Sequence, residues 1–354
     1  MVGIIIHDRP FQSSTRMAQQ PDYSFVFVCQ AGDLEIKAML LAASLNRFVS
    51  CPYEMVVALP QPESRCGVPA APTLRMLQDL GAKLAPVWNQ VDPEYPIANK
   101  ISAMAIATHG RRRIFLDTDI MCMLPFTGDT RLEAPFGAVP ADRRTWGAGP
   151  GDWDRVYGLF GLTTPPVRVR TARTREETPP YYNAGFIMAE SSVADSLAHT
   201  WLECAQVIDR TPHVPNKRPW LDQIALPVAV TRLGLGHRFL DETFNCPGDA
   251  RLRSADGIPQ FCHYHAQLAV KRLPVLNQLF RELVDQHPAL RERVQRDRLW
   301  KDVLSPGFGL LDTLQTLKNA RRRVAPPGTR RDELISHTAK RVRKVVGALR
   351  DRRR

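Results

Sequence analysis

The sequence predicts an open α/β sheet built from parallel strand–helix–strand units. Short runs of β-branched and aromatic residues alternate with segments of helical periodicity through the first third of the chain, which is typical of such units. The chain has 354 residues, long enough to bury a full core. In addition, two carboxylates, Asp117 and Asp119, directly follow the apolar run Ile114–Leu116. Polar side chains at a strand end mark the edge where open sheets bind ligands.

The alternation of strands and helices can be followed from Tyr23 to the paired acids. Gly32 and Asp33 supply a turn and an N-cap candidate after the first strand, and Gly110 ends the helix that precedes the fourth. The predicted strands are Tyr23–Cys29, Glu54–Leu59, Lys83–Val87 and Ile114–Leu116, and the predicted helices are Leu34–Phe48, Ala71–Leu80 and Pro96–His109. Asp117 and Asp119 therefore follow the fourth strand.

The second half of the chain predicts more strands and a long irregular segment. Residues 142–180 are rich in Gly and Pro and include Arg168, Arg170, Arg173 and Arg175, which predicts a mobile flap that either binds an anionic ligand or lies in solvent. The other predicted strands are Pro135–Pro140, Tyr181–Ala189, Phe239–Cys246 and Gln260–His265. The other predicted helices are Ser191–Arg210, one starting near Trp220, and two within Pro274–Leu304.

Composition excludes several protein classes. No window approaches the roughly 18 apolar residues of a membrane helix, and Val2–Ile6 is too short for the apolar core of a signal peptide. The seven cysteines are odd in number and scattered without CxxC pairs, as expected of reduced thiols. These features predict a cytoplasmic protein.

The net charge of +12 is concentrated at the C-terminus. Residues 318–354 hold 14 Lys or Arg and three Asp or Glu, whereas the rest of the chain holds 34 basic and 33 acidic residues. Nucleic-acid binding by the neutral body is therefore disfavoured. Hydrophobic residues recur between the basic ones in 332–350, which fits either a helix lying on an anionic membrane at the inner face or a solvated, disordered arm.

The acid pair has two interpretations. Buried carboxylates are costly without a partner charge, and Arg111–Arg113 lie at the other end of the strand, so a divalent cation bound by Asp117 and Asp119 is the functional interpretation. An acidic turn in water is the alternative, because a bare Asp-x-Asp is a weak pattern. Asp222 likewise fits a helix N-cap, and His263 and His265, on one face of a strand, fit metal ligands.

Taken in order, five short motifs make the chain similar to the nucleotide-sugar glycosyltransferases of GT-A fold. The likeness spans Tyr23 to Lys271 and is greatest to the glycogenin-like and lipopolysaccharide galactosyltransferase-like group, family 8. The motifs are Asp117-Thr118-Asp119 (DxD), the helix with Asn99-Lys100, Tyr182-Asn183-Ala184-Gly185, Asp222-Gln223 and His263-Tyr264-His265-Ala266.

The resemblance implies a Rossmann-like mixed sheet flanked by helices and a role for each motif. Asp117, Asp119 and His263 would bind Mn²⁺ or Mg²⁺, with His265 as a substitute for His263, and Asp222 and Gln223 would lie at the reacting face of a retaining enzyme. The substrate-binding set would be Cys29, Gln30, Ala31, Asn99, Lys100, Thr118, Asn183, Ala184 and Gly185. Ala266 stands where the family usually has glycine, and Lys271 comes two residues later than the family's diphosphate-binding lysine.

The resulting prediction is a metal-dependent glycosyltransferase that moves a sugar from a UDP-sugar or similar donor to a glycan or lipid-linked acceptor. The predicted domains are a flexible leader (1–22), a catalytic domain (23–272), C-terminal helices (273–310) and a basic, partly helical tail (311–354).

Three other classes remain open. A nucleotidyltransferase usually has a Gly-rich basic loop, and Gln30-Ala31-Gly32 lacks the basic residue. A non-catalytic protein that binds nucleotide-sugars or membranes would account for the basic tail, but it would not account for the paired acids in the neutral body. A zinc protein using Cys246, Cys262, His263 and His265 would have a spacing that matches no common zinc pattern.

Overall fold

The computed structural model describes residues 20–248 and 257–324. Most of the predicted leader, and the predicted tail from residue 325 onward, lie outside the described residues. The chain divides into two compact units: the first runs to Pro247 and includes the strand that ends at His263, and the second starts at Tyr264. Within the described residues, no helix is both long and apolar enough to cross a membrane.

In the part of the chain that the structure describes, the strands belong to the first unit. In chain order they are β1 (Tyr23–Val28), β2 (Tyr53–Gln61), β3 (Ala82–Trp88), β4 (Arg112–Leu116), β5 (Ile120–Cys122), β6 (Phe136–Pro140), β7 (Val169–Arg170), β8 (Glu177–Thr178), β9 (Tyr182–Glu190), β10 (Cys246–Pro247) and β11 (Phe261–His263). The main sheet has the order β3-β2-β1-β4-β9-β6, in which the first four strands are parallel and β9 is antiparallel to both β4 and β6. The predicted mixed α/β sheet is confirmed.

Helices flank this sheet. They are α1 (Asp33–Phe48), α2 (Glu63–Cys66), α3 (Ala71–Asp79), α4 (Asn99–Met104), α5 (Asp152–Gly158), α6 (Ser191–Arg210) and α7 (Leu221–Arg232), with 3₁₀ turns at Pro96–Ala98, Thr130–Leu132 and Glu242–Phe244. Alternate residues of β1 face opposite cores: Phe25 and Phe27 pack on the side of α1, and Val26 and Val28 on the side of α4, α6 and α7. The centre of the sheet is therefore buried on both faces, as is typical of parallel strands.

A second, three-stranded sheet brings distant segments of the first unit together. β11 is antiparallel to β5, with His263 opposite Ile120, and parallel to β10, with His263 opposite Pro247. β5 begins directly after Asp119, so this pairing places His263 beside the paired acids. The tertiary fold thus joins two motifs that are far apart in the chain.

Several predicted elements of the first unit are wrong in extent. The predicted helix Pro96–His109 ends at Met104, whose carbonyl accepts a hydrogen bond from the buried guanidinium of Arg113 (2.7 Å). The predicted strand Phe239–Cys246 is broken by the 3₁₀ turn Glu242–Phe244, where the Asp241 carboxylate accepts a hydrogen bond from the Thr243 amide (2.9 Å). Its ends keep strand-type pairing, since Phe239 bridges Ala138 and Cys246 starts β10. Residues 142–180 are not wholly irregular, since they contain α5 and the β7–β8 hairpin.

The second unit is helical. Its helices are α8 (Gln267–Arg272), α9 (Pro274–Gln286), α10 (Pro288–Arg296), α11 (Arg298–Leu304) and α12 (Leu310–Val324). The region Pro274–Leu304 therefore holds three helices rather than the predicted two. Pro288 begins α10 and the Asp297 carboxylate caps α11 by accepting from the amides of Leu299 and Trp300, so two stop-and-start signals interrupt the segment.

Candidate active site

The paired acids lie on a turn at the end of β4. The Asp117 amide donates to the Gly185 carbonyl (2.7 Å), which extends the β4–β9 pairing by one residue. The Thr118 hydroxyl donates to the Val28 carbonyl at the end of β1 (2.7 Å), so Thr118 points into the protein while the acids on either side do not. Each carboxylate is about one fifth exposed, at 23% and 22% of the side chain. The solvated-turn interpretation does not fit acids that are so largely enclosed.

Lys100 joins the first acid to Asp222. Its ammonium lies 2.9 Å from Asp117 Oδ1 and 3.1 Å from Asp222 Oδ2, and it also donates to the Ala184 carbonyl (3.4 Å). Asp222 is buried and receives a further hydrogen bond from the Tyr95 hydroxyl (3.3 Å). Asp222 is the second residue of α7, whose N-cap is Trp220, so its interpretation as an N-cap is wrong.

The electrostatics of this cluster follow from its burial. Burial raises the pKa of Asp222, and the nearby charge of Asp117 adds to the increase, while Lys100 only partly opposes it. Burial alone would lower the pKa of Lys100, but the two carboxylates outweigh it and the pKa is raised. Lys100 is therefore a permanent cation between two acids.

His263 contacts the second acid. Its Nε2 lies 2.9 Å from Asp119 Oδ1 and 4.0 Å from Asp117 Oδ2, and its side chain is 6% exposed. Burial opposes the charged imidazole, but the Asp119 carboxylate outweighs that effect and raises the pKa of His263. The Lys37 ammonium, which is paired with Asp33 one helical turn away (2.8 Å), lies 3.9 Å from Asp119 Oδ2. His263 therefore pairs with Asp119 and lies near Asp117, whose carboxylate contacts Lys100.

Two residues hold the His263 ring in place. Asn245, which lies outside the five motifs and is buried, has its Oδ1 3.1 Å from His263 Nδ1. On another side the Gly185 backbone lies against the ring, and a Cβ added there would meet His263 Nδ1 and Cε1 at 3.0 Å and Asn183 Oδ1 at 3.0 Å. Asn183 in turn accepts from the Gly185 amide (3.0 Å) and donates to Asp142 Oδ1 (3.3 Å).

Gly185→Ala is expected to displace the imidazole, because a Cβ at 3.0 Å from ring atoms forces a shift of a few tenths of an ångström. We expect the affinity for Mn²⁺, measured by electron paramagnetic resonance, to fall about tenfold. Gly158→Ala is the matched control, because a Cβ at that position meets nothing within 4 Å. Equal metal affinity in the two variants would contradict the expectation.

A cleft of about 480 Å³ opens at the carboxyl ends of the first three strands. Gln30 and Gln61 line it from β1 and β2, and Trp88, which is 58% exposed, lines it from the end of β3. Asn99 also lines the cleft, whereas the next residue, Lys100, contacts the acids. The first turn of α4 therefore joins the cleft to the acid cluster. The other lining residues are Pro62, Arg65, Cys66, Asn89, Pro93, Glu94 and Pro96.

The family model of the Rhodobacterales glycosyltransferase domain matches residues 25–234, which is more than half of the chain and contains the cleft, the acids and Asp222. The chain belongs to this glycosyltransferase family. No curated protein matches it. Among solved structures, it is similar to mouse xyloside xylosyltransferase 1 in its apo form, with 13% identity over 68% of this chain and 96% of that chain and a TM-score of 0.40.

The remaining residues predicted for the glycosyltransferase site are placed as follows. Cys29 is buried and its amide donates to the Ala58 carbonyl (2.9 Å), so only its backbone shapes the first βα loop. Ala31 lies in the same loop and packs against Gly67: a Cβ added at Gly67 would lie only 2.7 Å from the Cβ of Ala31. Gln223 follows Asp222 in the first turn of α7 and is half-buried.

His265 and Lys271 belong to the second unit of the glycosyltransferase. The prediction that His263 and His265 share a strand face is wrong, because β11 ends at His263 and His265 has a left-handed backbone (φ 57°). Lys271 pairs with Asp302 (2.9 Å) and Asp312 (3.0 Å) and is nearly buried, so it serves to connect helices within that unit.

Sequence reasoning missed Lys37, Asn245 and Trp88. Trp88 carried a usable signal, because it directly follows the predicted strand Lys83–Val87 at the ligand-binding edge. Lys37 and Asn245 carried none, since each reaches the site only through tertiary packing.

Proposed function

We propose that this glycosyltransferase is metal-dependent and transfers a sugar from a nucleoside diphosphate sugar, with a UDP-sugar favoured, to a glycan or glycolipid acceptor. The observation that carries the proposal is that the Asp119–His263 pair lies beside the Asp117–Lys100 pair, next to a cleft of about 480 Å³. We place the enzyme in the glycogenin-like and lipopolysaccharide galactosyltransferase-like group, family 8, because its five motifs occur in that group's order.

The chemistry of the ligand atoms supports a divalent cation. His263 Nε2 lies 2.9 Å from Asp119 Oδ1 and 4.0 Å from Asp117 Oδ2, so an imidazole nitrogen and carboxylate oxygens lie close together. Two carboxylates and one imidazole suit Mn²⁺ or Mg²⁺, and the nitrogen ligand favours Mn²⁺. Bound there, the cation would act as a Lewis acid on the leaving diphosphate.

The other residues of the site would bind the base, the diphosphate and the sugar of the donor. Trp88 and Gln30 are available in the cleft to stack on and hydrogen-bond a base, and Asn99 can orient the ribose or phosphates. Lys100 supplies a fixed positive charge to a diphosphate that lies beside Asp117. Asp222, held by Lys100 and Tyr95, orients the donor sugar, and Gln223 lies at the reacting face of a retaining transfer.

Two other functions compete with this proposal. A nucleotidyltransferase would join a sugar 1-phosphate to the α-phosphate of a nucleoside triphosphate and release pyrophosphate, and a non-catalytic protein would bind nucleotide-sugars without consuming them. The family membership favours sugar transfer over both.

A donor hydrolysis screen tests the proposed reaction. Purified enzyme is incubated with UDP-, GDP- and CMP-sugars, with and without Mn²⁺ and with and without added pyrophosphate, and the released nucleotides and sugar 1-phosphate are quantified. We expect Mn²⁺-dependent release of a nucleoside diphosphate from at least one UDP-sugar. Conversion of pyrophosphate and a nucleotide-sugar to a nucleoside triphosphate and sugar 1-phosphate would support nucleotidyl transfer instead, and the absence of turnover of every donor would contradict the enzymatic proposal.

A second proposal concerns location: the enzyme acts at the cytoplasmic face of an anionic membrane and binds it through α12. Leu310, Leu314 and Leu317 recur on one side of this helix and are 41%, 45% and 61% exposed, and Phe308 before it is 75% exposed. Leu311 is buried. The apolar stripe is followed in the sequence by 318–354, with its 14 Lys or Arg, which suits a surface that is apolar inside and anionic outside.

Vesicle co-sedimentation tests this location. The full-length variant Leu314→Glu/Leu317→Glu is expected to leave the lipid fraction of phosphatidylglycerol vesicles, while wild type stays bound. Val68→Glu/Val207→Glu adds the same charge at exposed apolar positions of the first unit and serves as the control. Equal binding of all three proteins would contradict the proposal, and so would self-association through α12 without lipid binding.

A further inference from the structure

Asn245 has no role in the proposed reaction so far, although it contacts His263. It directly follows the 3₁₀ turn Glu242–Phe244, and its backbone amide donates to the Glu242 carbonyl (3.1 Å). β10 starts at the next residue and pairs with β11, which carries His263. The fold therefore fixes the backbone of Asn245 relative to that histidine. The Asn245 residue is 1% exposed.

The contact between the two side chains has a chemical consequence. A neutral imidazole carries a proton on one nitrogen and a lone pair on the other, and only the lone pair can bind a metal ion. Asn245 Oδ1 lies 3.1 Å from His263 Nδ1 and, as a carbonyl oxygen, can only accept a hydrogen bond. Acceptance requires the proton to be on Nδ1. Nε2 is then the nitrogen left for a cation. Without a cation, its contact with the Asp119 carboxylate requires a proton on Nε2 as well, so a metal ion would bind there by displacing that proton.

We propose that Asn245 is a positioning residue that holds His263 in the tautomer and ring orientation needed to bind the divalent cation. This inference rests on the proposed metal site. The other amide atom, Asn245 Nδ2, is buried and has no hydrogen-bond partner among the described residues. An amide that leaves one of its own polar atoms unsatisfied is unfavourable for stability alone, so its contact with His263 is the reason for an asparagine here.

Metal binding by donor-free protein tests the inference without relying on activity. Mn²⁺ affinity is measured by electron paramagnetic resonance for wild type, Asn245→Leu, Asn245→Asp and His263→Ala. Asn245→Leu removes the acceptor at similar volume and is expected to weaken binding at least tenfold, whereas Asn245→Asp keeps an acceptor and is expected to retain wild-type affinity or exceed it.

The outcomes separate this inference from the proposed metal site. If His263→Ala loses Mn²⁺ but Asn245→Leu binds within twofold of wild type, the role of Asn245 is overturned while the metal site stands. Equal losses in Asn245→Leu and Asn245→Asp also overturn it, because an acceptor would then not matter. If His263→Ala binds Mn²⁺ as wild type does, the metal site itself is wrong.

A measurement on the wild-type chain covers the case in which the Asn245 variants do not fold. Protein labelled with ¹⁵N-histidine is loaded with Cd²⁺, and long-range ¹H–¹⁵N correlation spectra are recorded, with His263→Gln identifying the signal. We expect a protonated Nδ1 and a metal-shifted Nε2 on His263. A protonated Nε2 would overturn the inference.

Discussion

Replacing Asp119 by asparagine is expected to lower the rate of Mn²⁺-dependent sugar transfer roughly a thousandfold. The amide would keep the shape of the side chain but would lose the charge that, in our proposal, binds the cation together with Asp117 and His263. Asp119 lies 2.9 Å from His263 and 3.9 Å from Lys37, so the loss also removes the partner of two cationic groups. Transfer rates and Mn²⁺ affinity should therefore fall together.

The control for Asp119→Asn is Asp285→Asn. Asp285 is 76% exposed in the second unit and pairs with Arg291 at 3.4 Å, so its replacement removes one negative charge without touching the site. Wild-type rates in the control and unchanged circular dichroism in both variants are expected. An Asp119→Asn enzyme that retains Mn²⁺-dependent transfer would show that Asp119 is not a ligand.

Replacing Lys100 by methionine is expected to have two effects: it destabilises the fold and it abolishes sugar transfer. The substitution leaves the buried Asp222 and the enclosed Asp117 without their shared cation, and breaking a buried pair by removing one partner costs about 3–5 kcal/mol. The free energy of unfolding from urea titration in metal-free buffer measures this loss. Arg296→Met, which breaks an exposed pair with Glu292, should cost less than about 0.5 kcal/mol.

The double variant Lys100→Met/Asp222→Asn separates stability from function. Removing the buried carboxylate removes most of the uncompensated charge, so most of the lost stability should return. Transfer should not return, because both the cation for the diphosphate and the group that orients the donor sugar are absent. A double variant no more stable than Lys100→Met would show that the Lys100–Asp222 contact does not determine the stability of this region.

Sequence reasoning predicted the sheet well where local signals and burial agree. β1, β2 and β4 contain continuous apolar runs with β-propensity, and the order of β1 to β4 with intervening helices leaves few possible topologies. The predicted bounds of helices and strands were wrong where the hydrogen bonds of a single side chain determine where the element begins or ends. Arg113 accompanies the early end of α4, Asp241 favours a turn over a strand, and Asp297 starts an additional helix.

In the candidate site, too, the sequence predicted the local motifs but not the contacts that depend on tertiary packing. The turn after β4 and the start of α7 were found as motifs, but the bridge from Lys100 to both Asp117 and Asp222 depends on how α4 packs. No local pattern encodes such a bridge. Asn245 is a stronger case, because its contact with His263 exists only through the β10–β11 pairing. Strand alternation also misplaced His265, since the strand ends two residues earlier than the apolar pattern suggested.

The most direct test of metal-dependent nucleotide-sugar chemistry is the affinity of the enzyme for UDP with and without Mn²⁺, measured by titration calorimetry. The cleft would bind the nucleoside, and the cation bound by Asp117, Asp119 and His263 would bind the diphosphate, so the two ligands must strengthen each other's binding. We predict that Mn²⁺ tightens UDP binding at least tenfold in wild type and has no effect in Asp119→Asn. Equal UDP affinity with and without Mn²⁺ in the wild-type enzyme would contradict the account.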